Sequence, residues 1–241
     1  MASLVVLGAR HLGGAILDRF LADGWSAAAV ARSDDTLAAI AERGAIALKA
    51  DIQSPESLAE ALDRARGELG GLDLVVNAAS VSQPRPGEPF GGGPVADASL
   101  EQYRRWGAAV GEVAFVFLSE GARALRATGT GGALIQITNS TARRVRPGQG
   151  SWSAGHHALR ALVLAAAAEL REEGIRAYLL SVDAPIESAK TAQRLADEGI
   201  PAEATADQAA IAGAVAYLAG QPERAMSHEL AVTASGAPPL L

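Results

Sequence analysis

The chain alternates short apolar runs with amphipathic stretches from its first residues almost to its last. Runs such as Leu4–Leu7, Ala27–Ala31 and Leu72–Asn77 are too short for buried helices and too apolar for one-sided strands. They read as parallel strands covered on both faces, each followed by a helix that crosses back. This rhythm predicts an α/β fold of about seven strands. The expected elements are a strand Leu4–Leu7, a helix Gly14–Asp23, a strand Ala27–Ala31, a helix Thr36–Arg43 and a strand Ala45–Lys49. A helix from Ser54 to Leu69 and a strand Leu72–Asn77 follow. A long helix Ser99–Ala127, weakened at Gly107 and Gly111, then precedes a strand Ala133–Thr138. A second long helix, Gly150–Glu173, leads to a strand Arg176–Val182. The last pair is a helix Ala206–Ala219 capped by Thr205 and a strand Glu229–Thr233. The Ser54-Pro55-Glu56 start combines a capping hydroxyl, a first-turn Pro and an early acid. Gly24 and Gly174 stand where left-handed helix caps are expected.

Two segments break the rhythm. Ser82–Asp97 holds Pro84, Pro86, Pro89, Pro94 and three successive glycines, Gly91 to Gly93. Ala184–Glu203 holds at most a short helix over Thr191–Asp197. Both follow strand C-terminal ends, where open α/β sheets bind ligands, so both are expected at the site mouth. No linker or repeat divides the 241 residues, and 49% hydrophobic content suffices for one substantial core.

Composition narrows the chemistry. There is no Cys, which excludes disulfides, thiol nucleophiles and thiolate metal ligands. No His/Asp/Glu cluster has metal-ligand spacing, so no metal is expected. A formal charge of −6 with dispersed basic residues argues against a nucleic-acid partner. No apolar run reaches spanning length, which argues against a membrane partner. A strand begins at once at the N-terminus, so the expectation is a cytoplasmic protein without a secretory signal.

Gly8-Ala9-Arg10-His11-Leu12-Gly13-Gly14 joins the first strand to the first helix. Glycines there allow a tight turn and close approach to a pyrophosphate, which the helix N-terminus attracts. Asn139 follows the fifth strand, and Trp152 and His156 lie four apart on one helix face. A free His titrates near neutrality, so His156 is a candidate acid or base, a donor to a ribose hydroxyl, or a partly buried His satisfied by backbone. Asn139 is a candidate oxyanion donor or a strand-end turn residue. Tyr103 and Tyr178 read as packing residues, and His157 as surface.

These features together resemble the short-chain dehydrogenase/reductase family nearly end to end. The glycine loop is similar to its Thr-Gly-x-x-x-Gly-x-Gly, with Leu7 for Thr and His11 or Leu12 for the second Gly. Asn77-Ala78-Ala79-Ser80 is similar to its Asn-Asn-Ala-Gly. Its Ser and Tyr-x-x-x-Lys positions fall on Asn139, Trp152 and His156. The resemblance implies a single Rossmann-type, doubly wound parallel sheet of order 3-2-1-4-5-6-7. It implies a mainly nucleotide-binding half (1–98) and a catalytic, substrate and oligomerisation half (99–241). It implies an NAD(P)-dependent oxidoreductase acting on a small molecule, and a homodimer or homotetramer built on the two long helices. Cofactor contacts would come from Gly8, Arg10, His11, Leu12, Gly13, Arg32, Asp51, Ile52, Asn77, Ala78 and Ala79. Ala31 replaces the acid of NAD-preferring members, and Arg32 with Arg10 suits a 2′-phosphate, which puts NADP(H) ahead of NAD(H). Asp34 or Asp35 on a ribose hydroxyl would reverse that order. The family's Tyr gives a proton as hydride arrives. The indole of Trp152 donates a hydrogen bond but does not ionise. A helix Asn of the family's relay falls on Val110, and its Pro-Gly after strand six on Asp183-Ala184. Standard carbonyl reduction is therefore doubtful. Three readings stay open: an oxidoreductase with an altered donor, a non-redox enzyme on the same scaffold, or a silent nucleotide sensor or partner of a homologous subunit.

Overall fold

A computed structural model describes residues 1–81, 85, 87–197, 202–222 and 224–235. Pro84 and Pro86 of the first irregular segment, and residues 198–201 of the second, lie outside the described residues. The chain order is β1 (Ser3–Leu7), α1 (Leu12–Ala22), β2 (Ser26–Ala31), α2 (Asp34–Glu42), β3 (Ile46–Lys49), α3 (Pro55–Leu69) and β4 (Leu74–Asn77). Then come α4 (Leu100–Tyr103), a π turn Arg104–Ala108, α5 (Ala109–Arg126) and β5 (Gly132–Thr138). The chain closes with α6 (Gly150–Glu169), β6 (Ile175–Val182), α7 (Ala189–Asp197), α8 (Gln208–Ala219) and β7 (Glu229–Val232). All seven strands are parallel, in the order β3-β2-β1-β4-β5-β6-β7. This is the doubly wound α/β sheet expected from the alternation.

Strand parity builds two cores. Val5 and Leu7 of β1 face one side with Val75, Leu134 and Leu179, under Leu58 and Leu62 of α3, Phe117 of α5 and Val163 of α6. Leu4 and Val6 face the other side with Val76, Ile135 and Leu180, under Ile16 and Phe20 of α1, Ile40 of α2 and Val215 of α8. Period-two alternation with apolar residues on both faces is what made the strands read as continuous apolar runs.

The first long helix is not continuous. It starts at α4 with a Ser99–Gln102 capping box and passes through the π turn before α5 begins. The break has a packing cause. A Cβ on Gly107 would lie 2.5 Å from the Ser151 carbonyl oxygen, and one on Gly155 would lie 2.3 Å from that of Gly107. The two backbones cross in contact there, which the π turn accommodates. The second long helix ends at Glu169, followed by a 3-10 turn and the left-handed Gly174. The cap of α8 is Asp207, whose carboxylate accepts from the Ala209 N–H at 2.9 Å, and not Thr205. Ala206 is held extended in a bridge to Ile186, so the helix starts after it. Tyr178 is fully buried as expected, but Tyr103 is 45% exposed and is not a core residue. No described helix is long and apolar enough to cross a membrane.

Candidate functional site

The candidate residues gather at the edge of the sheet where strands end. The turn after β1 is held on three sides by backbone. Gly8 N–H donates to the Val30 carbonyl at 3.0 Å, and Ala78 N–H to that of Leu7 at 3.0 Å. Gly8 has φ +84°, and a Cβ there would lie 2.7 Å from Ala79 Cα. A Cβ on Gly13 would lie 2.1 Å from the Gly8 oxygen. Both positions require Gly on steric grounds alone. Ala79 thus faces the loop at van der Waals distance. Leu12 is buried in the core beneath α1, so its side chain does not fill the turn.

The helix that follows is open at its start. His11 stands at the N-cap without a side-chain cap, and the N–H groups of Leu12, Gly13 and Gly14 have no partner among the described residues. By contrast α3, α4 and α8 are capped by Ser54, Ser99 and Asp207. Unspent N–H groups at a positive dipole end form an anion cradle. Arg10 and His11 are exposed on this turn, and Arg32 is exposed just past β2. Neither arginine forms an ion pair among the described residues. Asp34 is engaged by Lys49 at 2.7 Å, so it is not a free ribose ligand, whereas Asp35 is exposed in the first turn of α2. The residues present fit the phosphate end of a dinucleotide.

Two further pairs serve the scaffold visibly. Asp51 accepts from the Gln53 N–H at 3.1 Å and its own N–H donates to Ser57 Oγ at 3.1 Å, while Ile52 packs on the core. Asn77 is buried, donates to Gln136 Oε1 at 2.9 Å and accepts from the Ala79 N–H at 3.2 Å. Asn77 and Gln136 are register partners across β4 and β5. Their amides rivet the sheet under the loop, and Ala78 and Ala79 are left as its small, partly buried rim.

At the end of β5 the structure brings Asn139, Trp152 and His156 together. Asn139 Oδ1 accepts from the Thr141 N–H at 3.0 Å and from the Thr141 hydroxyl. Its amide nitrogen therefore faces His156 Nε2, at 3.4 Å. An amide NH2 only donates, so Nε2 accepts and Nδ1 carries the imidazole hydrogen, donated to Thr138 Oγ1 at 2.9 Å. Burial, with a smaller contribution from His157, pushes His156 down to about 4. This corrects the near-neutral value expected for a free ring. His156 is neutral at pH 7 and both nitrogens are spent within the protein. Of the open readings, the geometry supports a satisfied buried His, held by the side chains of Thr138 and Asn139 rather than by backbone. His157 is exposed, with Nδ1–H donating to the Ser153 carbonyl at 2.9 Å.

Trp152 stacks edge-on against His156, with ring centroids 4.2 Å apart, as the shared helix face implied. Its indole N–H has no hydrogen-bond partner among the described residues. Trp106 and Phe90 close a triangle with it, at centroid separations of 5.2 to 5.6 Å. Phe90 reaches it on a strap that the glycines press onto α6. A Cβ on Gly91 would meet Gln149 at 2.9 Å, and one on Gly92 would meet Ser151 at 3.3 Å. Glu88 anchors the strap through an ion pair with Arg105. Asp183, after β6, is buried and pairs with Arg143, which fastens that strand end to the turn after Asn139. Thr138, Phe90, Trp106 and Gln136 were not singled out from sequence. Thr138 and Gln136 share strand parity, a weak signal; nothing local marked Phe90 or Trp106 as neighbours of Trp152.

Residues 7–237 match the family model described as enoyl-(acyl carrier protein) reductase. Among curated proteins the chain is similar to short-chain dehydrogenase reductase 5 of Arabidopsis thaliana (35% identity; 44% of this chain, 39% of that protein). It is also similar to an uncharacterized NAD-dependent oxidoreductase of Mycobacterium tuberculosis (32%; 60% and 50%). A chloroplastic NADPH-dependent aldehyde reductase-like protein of Arabidopsis thaliana is 29% identical (55% and 47%). The chain thus spans about half the length of these relatives or less. A solved dehydrogenase/reductase from Sinorhizobium meliloti 1021 superposes with a TM-score of 0.76 at 26% identity, over 96% of this chain and 93% of that one. With the sheet order, the glycine turn and a match over nearly the whole length, the chain belongs to the short-chain dehydrogenase/reductase family of oxidoreductases.

Proposed function

We propose that the chain binds NADP(H) and acts on a small carbonyl compound with a donor that is not the family's phenol. The observation that carries the reading is the open N-terminus of α1, flanked by Arg10 and Arg32, which form no ion pair among the described residues. Gly8 and Gly13 let the backbone approach a pyrophosphate, and the first-turn N–H groups bind it. Ala78 and Ala79 form the rim, with Asp51 and Ile52 toward the adenine. A guanidinium fork at Arg32 suits a 2′-phosphate, which favours NADP(H); one relative is named NADPH-dependent and another NAD-dependent.

Bound NADPH supplies hydride. The chain's own part is orientation, behind a partial shield that still admits a solvent proton. Trp152 N–H is free to hold a carbonyl oxygen, and the strap from Glu88 to Gly93 shields that point. Asn139 and His156 hold the β5 end and α6 together rather than move protons. The proton then comes from solvent, and without a positioned acid the rate falls short of a complete site by roughly two to four orders of magnitude. Residues 1–98 carry the nucleotide and residues 99–241 the substrate and assembly surfaces. Ala154, Ala158, Ala161, Ala165 and Ala168 line an exposed face of α6 beside the 59% exposed Phe115 of α5, which suits a second copy of this chain in a cytoplasmic homodimer.

Calorimetric titration with NADPH and NADH tests the reading. NADPH is expected to bind more tightly, and Arg32→Ala to weaken NADPH by about tenfold while leaving NADH nearly unchanged. Equal losses for both would remove the 2′-phosphate role. Binding of neither at millimolar concentration would sink the proposal. Light scattering at the monomer mass would dismiss the homodimer.

A further inference from the structure

The first turn of α1 has a further cation beside it, one that lies far from it in sequence. Arg43 is the C-cap of α2, and the left-handed Gly44 ends the helix there. Its side chain leaves α2 and lies against α1. Nε donates to Asp18 Oδ1 at 3.0 Å, and Nη1 donates to the Ala39 carbonyl at 2.8 Å. These two bonds fix the plane of the guanidinium. Nη2 has no hydrogen-bond partner among the described residues.

That third nitrogen stands over Gly14. A Cβ on Gly14 would lie 3.3 Å from Arg43 Nη2. Gly14 and Asp18 are four residues apart, one turn along the same face of α1, so the guanidinium runs up that face from Asp18 to the first turn. Gly14 is also one of the three residues whose N–H groups are open at the helix start. The Arg43 charge therefore stands at the helix end that already carries the positive pole of the dipole.

Gly14 lacks the steric reasons of the other two loop glycines. Gly8 has a left-handed φ, and a Cβ on Gly13 would run into the Gly8 oxygen at 2.1 Å. Gly14 has no positive φ, and the backbone atom nearest to its Cβ position is the Ala9 oxygen, at 3.3 Å. Gly is a poor residue for a helical turn, so its presence here needs a cause. The approach of Nη2 supplies one, since a methyl group would push the guanidinium aside. A tie between α1 and α2 would not need that approach. The Arg43–Asp18 pair alone would make it, and with side chains 32% and 57% exposed it adds little stability. A guanidinium held in place by two bonds, with a further N–H pair directed at a row of open backbone donors, matches an anion shared between them, and its fork suits phosphate oxygens.

We propose that Arg43 binds the pyrophosphate of the nucleotide together with the first-turn N–H groups of α1, and so serves NADPH and NADH alike. The inference rests on the nucleotide reading given above. It sets Arg43 apart from Arg32, whose proposed partner is the 2′-phosphate that NADPH alone carries.

Titration of the full chain and of Arg43→Gln with NADPH and NADH, at two salt concentrations, tests it. The Gln amide keeps a donor but loses the charge and the reach. Arg43→Gln is expected to weaken both nucleotides about tenfold, the size of one charge-assisted hydrogen bond, and to make affinity fall less steeply with salt. Gly14→Ala keeps the Arg43 charge but places a methyl group where Nη2 lies. It is expected to weaken both nucleotides at least about threefold, while its thermal midpoint equals or exceeds that of the unsubstituted chain. Affinities of Arg43→Gln within about twofold of the unsubstituted chain, or full affinity in Gly14→Ala, would overturn the role of Arg43 and leave the helix start standing as the cradle. A loss with unchanged salt dependence would reduce Arg43 to a tie between helices. A loss for NADPH alone would move it to the 2′-phosphate, which also overturns the assignment. If the unsubstituted chain binds neither nucleotide, the nucleotide reading itself has failed, and the assignment of Arg43 falls with it.

Discussion

The turn after β1 and the turn after β5 end neighbouring parts of one sheet, yet they spend their polar groups in opposite ways. At the first, three helix N–H groups and two guanidinium groups are left without partners among the described residues. At the second, Asn139, Thr138, Thr141 and His156 use one another, and an aromatic triangle covers the rest. Polar groups kept open against the usual pressure to pair are where an incoming ligand gains free energy. Groups already paired gain little and mainly hold the fold. On the proposed reading the turn after β1 is therefore built to bind, and the turn after β5 is built to stay together. The indole of Trp152 is its exception.

The contrast is most easily broken at Gly13. A methyl group there must displace the Gly8 carbonyl, since 2.1 Å leaves no room for relaxation of a side chain. Gly13→Ala is expected to abolish measurable NADPH binding, a loss of at least about 100-fold, and to destabilise the chain by roughly 3 kcal/mol. Calorimetry and denaturant unfolding read both. Retained affinity in a folded Gly13→Ala protein would mean that the turn after β1 is not the phosphate cradle.

His156 sharpens the other side. A ring that falls from an ordinary 6.5 to about 4 on folding makes the unfolded chain the better proton acceptor between those values. Its share of stability is complete above pH 6.5 and is lost as pH falls toward 4. The whole difference is on the order of 3 kcal/mol, of which roughly 1.4 kcal/mol is gone by pH 5.5. His156→Gln retains an amide near Thr138 but cannot titrate. Urea unfolding at pH 7.5 and 5.5 is expected to show a drop in the unsubstituted chain about 1.4 kcal/mol larger than in the variant. Equal drops would show that His156 is solvated, and its candidacy as a proton carrier would return.

How far the sequence anticipated this contrast depends on the range of each interaction. Strand order and the two cores were legible because residues such as Leu4, Val5, Val6 and Leu7 alternate between faces within one short run. The pairing of Trp152 with His156 was legible because helix spacing is local. The break at Gly107 was half legible: a Gly weakens a helix on paper, but the π turn exists because Gly155 of another helix touches its backbone. Thr205 and Asp207 both offered caps, and the bridge from Ala206 to Ile186 decided between them. The depressed His156 is set by burial under Thr138 and Asn139, which spacing alone does not disclose. The Phe90 strap was the least legible part, since Pro/Gly composition gives no address for where a loop lands.

That strap offers the gentlest test. Phe90 is 53% exposed and touches Trp106 and Trp152 by ring edges, so Phe90→Ala is expected to cost only about 1 kcal/mol. Its effect should instead appear in access to Trp152. With Trp25→Phe removing the distant indole that packs on Phe20, acrylamide quenching reports on Trp106 and Trp152 alone. Trp106 is 1% exposed, so a rise in quenching of about twofold after Phe90→Ala would be assigned mainly to Trp152. A substrate reaching that indole would then have to share or displace the Phe90 ring, and flat ligands would be favoured over branched ones. Unchanged quenching would mean that the strap leaves Trp152 as open as the turn after β1, and the difference between the two ends would shrink to the hydrogen bonds of Asn139 and His156.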